Sequence, residues 1–275
     1  LEFRRVLFRS KKWIDIENEL KRFALDDKGK NILFNKTEKD FELLRVSLCD
    51  YLSSLSYESI NKESAACMLI ESVINNYLFK KVYTYNYTDL EKIIDILDVK
   101  KTFNNQIEIE YVHGKVNDKS IILGFEDSAE VKDDYLFMIK SFSRHFRSHN
   151  IQYDMILADE VIFFGHSLGS TDYHYFEHFF RNQSNEQIKK EDSKIITIFT
   201  YDNKSRLEIL TQLRSMNEKK TNLLFSLNQL NIFCTKDGEG DKERIEEYCK
   251  NLKTKGIAAQ KEIISKTAVD QRKKG

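Results

Sequence analysis

The sequence has 275 residues, no proline, nine glycines, and 44 basic against 44 acidic side chains, with 41% hydrophobic and 12% aromatic content. The missing proline excludes collagen-like and polyproline segments and any cis-proline turn. Balanced charge supplies no global field for nucleic acid or an anionic membrane surface, and no apolar run approaches the length of a membrane span.

Leu1–Ser10 reads LEFRRVLFRS, arginine-rich in a chain that otherwise favours lysine. It resembles the in-frame translation of a sequencing-library adapter. It is too short and too charged for a secretory core, so residues 1–10 are set apart from fold reasoning. No initiator methionine stands at position 1, and the expectation is a natural chain that begins upstream. Residues 11–80 predict a helical region. Trp13, Ile14, Ile16, Leu20, Phe23 and Leu25 recur at helical spacing. Thr37 is expected to cap a second helix with Glu38 and Asp40 in its first turn. A third is expected from Asn61 to Phe79.

Residues 81–256 predict an α/β core. Strand-like runs fall at Lys81–Tyr85, Ile107–Val112, Ser120–Leu123, Glu160–Phe164, Lys194–Thr200 and Asn231–Cys234. Several are apolar without alternation, as for strands buried on both faces. Helices are expected at Asp89–Leu97, Ala129–Arg147, Asp172–Arg181, Lys204–Met216 and Asp241–Leu252. The alternation predicts a mostly parallel sheet flanked by helices, with 107–123 as an antiparallel excursion. Residues 257–275 read as a charged tail in the form of a frayed helix. Cys49, Cys67, Cys234 and Cys249 form no C-x-x-C pair and read as buried thiols of a reducing cytoplasm.

Rare residues point to the chemistry. All six histidines fall between 113 and 178, and four of the nine glycines between 114 and 169. Each cluster follows a predicted strand, the edge where open α/β sheets bind ligands. The first is Tyr83-Thr84-Tyr85-Asn86-Tyr87-Thr88, in which Asn86 can donate and accept at once, or can cap a helix with Thr88. The second, Tyr111-Val112-His113-Gly114, suits a general base with open access, or an ordinary turn. The third is Gly165-His166-Ser167-Leu168-Gly169, continuing to Asp172. As G-x-S-x-G between strand and helix it fits a serine-hydrolase elbow with Ser167 as nucleophile. The only histidines after it are His174 and His178, in the next helix. Alternatively it is a small-residue turn that lets the backbone approach a dinucleotide or sugar. The pairs His145/His149 and His174/His178 have helical metal-ligand spacing, yet no third ligand stands near either, so no metal is expected.

In this order the clusters resemble the bacteriophage abortive infection AbiH family, with its F-N-Y-T, H-x-H-G, L-G and G-H-S-L-G-x-T-D segments. The matches are Asn86-Tyr87-Thr88, His113-Gly114, Leu123-Gly124, and Gly165 through Asp172. Tyr85 replaces the phenylalanine, and Tyr111 the first histidine of H-x-H-G. The pattern is in turn similar to sirtuin-like domains on a Rossmann-like sheet. That likeness implies a cytoplasmic antiphage protein that binds or hydrolyses NAD or a related nucleotide. By position, Asn86 would orient the ribose or the attacking water, and His113 would act as base. Thr84, Thr88, Gly114, Gly124, Gly165, Ser167 and Asp172 would line the cofactor. A phage protein is the expected trigger, no membrane or nucleic-acid partner is implied, and an oligomer is compatible with the sequence. A non-catalytic phage-sensing module is the alternative. Family members open with a strand and a G-N-G-F-D-type loop; here Gly29 is the sole glycine before Gly114. The expectation is a fragment lacking that first strand and loop, which binds NAD poorly and is inactive by itself.

Overall fold

The structure, a computed structural model, describes residues 13–26, 34–74, 76–98, 107–169, 172–238 and 240–274. Leu1–Ser10 and Gly29 lie outside them. The chain is α/β and divides into two units. One comprises Leu1–Ser56, Tyr83–Asp89 and Glu110–His149; the other comprises Tyr57–Val82, Leu90–Ile109 and Asn150–Gly275. No helix of the described residues is long and apolar enough to cross a membrane.

In the first unit, α1 (Trp13–Asp26) buries Ile16, Leu20 and Ala24, one residue per turn on a single face. Helix α2 (Phe34–Ser53) buries Phe41, Leu44, Leu48, Cys49 and Leu52 at the same period. It begins at Phe34, so Thr37 lies within the helix and not at its cap. Both helices share a core with Val116, Ile121, Leu123, Phe125, Tyr135, Met138 and Ile139.

Two expected elements are absent from this unit. Ser120–Leu123 joins no strand ladder; instead the Ile122 N–H donates to the His113 carbonyl over 2.9 Å. Ala129–Arg147 forms only the 3-10 turns Asp133–Met138 and Lys140–Phe142. Phe125 and Ile139 make an isolated parallel bridge. The Phe125 N–H donates to the Met138 carbonyl at 3.1 Å, and the Lys140 N–H to the Phe125 carbonyl at 2.9 Å. Those bonds engage backbone groups that a continuous helix would need.

Strand β1 (Lys81–Thr84) precedes α3 (Leu90–Ile96) and pairs with β2 (Glu108–Tyr111). Flanking bonds from the Glu108 N–H to the Lys80 carbonyl and from the Val112 N–H to the Thr84 carbonyl advance in step, as in a parallel pair.

The second unit holds a parallel sheet of β3 (Glu160–Phe164), β4 (Ile195–Thr200) and β5 (Gln229–Cys234), in that order. Phe164 is opposite Phe199, and Thr200 opposite Cys234. Ile196 through Thr200 are all buried, which explains the unalternating apolar run. Between strands lie α4 (Tyr173–Gln183), α5 (Asn203–Met216) and α6 (Thr221–Leu227). The Phe163 ring lies 5.6 Å from both Phe176 and Phe180 of α4. Short α6 and the turn of helix at Ile151–Leu157 were not expected from periodicity.

Two further helices of this unit, α7 (Ala65–Ile74) and α8 (Lys242–Lys274), pack together through Leu69, Val73, Ile245, Cys249 and Leu252. Helix α8 runs far past Leu252, through the expected charged tail. Gly256 is a contact point there: a Cβ on it would lie 2.6 Å from Asn76 Oδ1. Asn76 is buried and donates from Nδ2 to the Leu252 carbonyl at 2.8 Å.

From α8, the Tyr248 hydroxyl donates to Glu160 Oε1 over 2.7 Å, and its ring lies against Phe199 and Phe233. Burial pushes this phenol up from its ordinary value of 10.0, and the Glu160 carboxylate adds to the effect. Burial likewise pushes the thiols of Cys49 and Cys249 up from 9.0. Folding therefore favours the protonated groups. Their contribution is whole below pH 9.0 and drains away as pH rises past 9.0 and then 10.0. The urea midpoint should fall across that alkaline range, and Tyr248→Phe should flatten the part above pH 10.0. A midpoint that rises there contradicts the assignment.

Candidate functional site

The first two sequence clusters come together in the first unit. The Val112 N–H donates to the Thr84 carbonyl at 2.9 Å, so the chain leaves two neighbouring strand ends at Asn86 and His113. Thr84 Oγ1 accepts from the Asn86 N–H at 3.2 Å and hooks the turn, leaving Asn86 exposed. Helix α3 starts at Leu90, so Asp89 stands at its head and not Asn86 or Thr88. Asp89 is buried and accepts from the Asn117 amide, while Thr88 is half-buried.

His113 is 7% exposed. The Tyr85 ring stands edge-on to it at 5.4 Å, and Tyr87 lies at 6.3 Å with its hydroxyl donating to the Ile122 carbonyl. His113 Nε2 is 3.3 Å from Lys140 Nζ, and that ammonium is 3.3 Å from Glu17 Oε2. Lysine has donors and no acceptor, so Nε2 accepts, and the assigned ring proton sits on Nδ1. In this tautomer no lone pair is left to take a proton from a ligand. The ring thus lacks the open access that the strand-end position suggested.

Gly114 and Gly124 have reasons within the protein's own backbone. Gly114 has φ +79°, and a Cβ there would strike the Ser120 carbonyl; Gly124 has φ +147°, and its Cβ would strike the Met138 carbonyl. Neither position needs a ligand to account for its glycine.

The third cluster lies in the second unit, after β3. Gly165 has φ +61°, donates its N–H to the Phe199 carbonyl, and has open space where a Cβ would be. Leu168, with φ +48°, is fully buried beneath the turn. His166, which the motif contains but the site reading omitted, organises this turn. Its Nδ1 accepts from the Leu168 N–H at 3.0 Å, so Nε2 carries the proton and faces Asp172 Oδ2 at 3.7 Å. Its ring stands edge-on to Phe176 at 4.9 Å. The i+2 spacing from histidine to leucine was the available signal.

Ser167 is exposed, and among the described residues its oxygen bonds the Gly169 N–H at 3.4 Å and no histidine. In a nucleophile elbow the serine itself is strained and a helix follows at once. Here the left-handed residue is Leu168, and α4 starts at Tyr173. The geometry does not favour a hydrolase.

The histidine pairs have separate surroundings. His149 Nδ1 is 2.6 Å from Glu110 Oε2, while His145 adjoins Arg144; burial and that guanidinium hold His145 below its ordinary value. The His174 ring lies 3.9 Å from that of Tyr175, tilted against it, and His178 Nε2 is 3.0 Å from Asn182 Nδ2. Among the described residues no three ligand side chains converge on a metal position.

A family model described as bacteriophage abortive infection AbiH matches residues 5–193, a span that contains all three clusters. No curated protein and no solved structure matches the chain.

Proposed function

The chain belongs to the bacteriophage abortive infection AbiH family, which gives it a role in antiphage defence, and from that membership we propose its chemistry. The full-length protein binds NAD or a related nucleotide and cleaves the N-glycosidic bond, depleting a host cofactor on infection. One observation carries the reading: the bond from Val112 to Thr84 sets the Asn86 turn beside the His113 strand end. Such cleavage passes through an oxocarbenium-like state, which calls for donors on the ribose and a positioned water. Asn86 is exposed and its amide both donates and accepts, so it orients the ribose or the attacking water. His113 supplies its Nδ1 proton as a donor, since Lys140 occupies Nε2. Thr84 and Thr88 flank the same strand end.

The test uses a phage-sensitive bacterium expressing the full-length protein. During infection, NAD is expected to collapse and plaque formation to fall. Both effects should disappear in Asn86→Ala and His113→Ala. Ser167→Ala and Asp172→Asn, in the second unit, form a separate group. NAD that holds steady through a defended infection overturns the nucleotide reading. Defence that survives every substitution supports a phage-sensing module instead.

A further inference from the structure

We propose that Glu17 and Lys140 are positioning residues for His113, a buried charge pair that keeps its ring in the Nδ1–H tautomer. The proposal rests on the reading of His113 as the ligand-facing donor. Lys140 and His113 are both buried, and Glu17 is nearly so. Taking an ammonium and a carboxylate out of water is expensive, and a buried ion pair is weak evidence for stability. An apolar pair would fill the same space without that cost. What an apolar pair lacks is a donor for Nε2.

The surroundings key this pair to one register. Glu17 and Lys21 stand one turn apart on α1, facing Lys140 and Glu126 respectively. Glu126 and Lys140 follow directly on Phe125 and Ile139, the two residues of the isolated bridge. Acid meets base at both positions, so a one-turn slip of α1 would oppose like charges. The helix thereby fixes where the Lys140 ammonium sits. The rings of Tyr85 and Tyr87 also stand against His113; they hold its plane but supply no positive charge.

The test reads the tautomer directly, by nitrogen-15 NMR of the histidine rings in the full chain, with His113 assigned by its loss in His113→Gln. The unmodified protein should carry its proton on Nδ1, and Lys140→Arg, which keeps a donor, should retain it. The double variant Glu17→Gln/Lys140→Met removes both charges of the pair together, and its His113 signal should move toward the Nε2–H form. His149 and His166, with partners of their own, report whether each variant is folded. An Nε2–H ring in the unmodified protein overturns the proposal even if every variant misfolds. So does an unchanged His113 in a folded double variant. The tautomer is read without nucleotide, so loss of the proposed cleavage activity and loss of this arrangement are separate outcomes.

Discussion

Gly124→Ala should destabilise the protein by about 3–5 kcal/mol, combining left-handed backbone strain with a steric collision. The φ of +147° is open to glycine and almost closed to other residues. The added methyl also points at the Met138 carbonyl, which already accepts the Phe125 N–H. Relief of the collision would part Phe125 from Ile139 and shift Lys140, so the damage reaches His113. Gly165→Ala is the control. Its φ of +61° carries strain of about 1–2 kcal/mol, but the space around it is open. Urea unfolding compares the two, and equal losses would show that close approach at Met138 does not matter.

Phe199→Ala should cost about 3–5 kcal/mol, the range for emptying a large ring from a core. Phe199 is 1% exposed on the central strand, with the rings of Phe164 and Phe233 at 5.4 Å and Tyr248 at 5.8 Å. Those neighbours come from β3, β5 and α8, so relaxation of one element cannot refill the space. Tyr201 lies two residues further on and is 64% exposed. Tyr201→Ala should change stability by no more than about 0.5 kcal/mol. Thermal or urea unfolding of both variants measures the contrast, and a Phe199→Ala loss under about 1 kcal/mol would mean a core that collapses freely.

These residues also mark how far the sequence could be read. Strands β3, β4 and β5 were legible because burial on both faces leaves an unbroken apolar run, as in Ile195–Thr200. Helix α4 was legible because Phe176, Phe179 and Phe180 keep one stripe. Ala129–Arg147 misled because Val131, Tyr135 and Met138 imitate a helical period, while the bonds that decide their conformation come from Phe125. Helix α8 joins the expected helix and the tail into one element, and the contact of Gly256 with Asn76, between distant segments, left no mark in the sequence. In the candidate site, Asn86 and His113 were visible as rare residues at strand ends. Lys140 and Glu17 were not, because a buried ion pair between distant segments has the composition of ordinary surface charge. His166 lies in plain sight within the third cluster, but its bond to the Leu168 N–H is set by the fold of the turn.

The pairing of α7 with α8 has a consequence for synthesis. Asn76 and its partner Leu252 are 176 residues apart in the chain. At translation rates of about 5–20 residues per second, about 9–35 s separate the appearance of one from the other. Throughout that interval Leu69 and Val73 have emerged without Ile245, Cys249 and Leu252 to cover them. The ribosome-bound nascent chain thus carries a sticky helix for many seconds, a window in which chaperones, or a second nascent copy, compete for it.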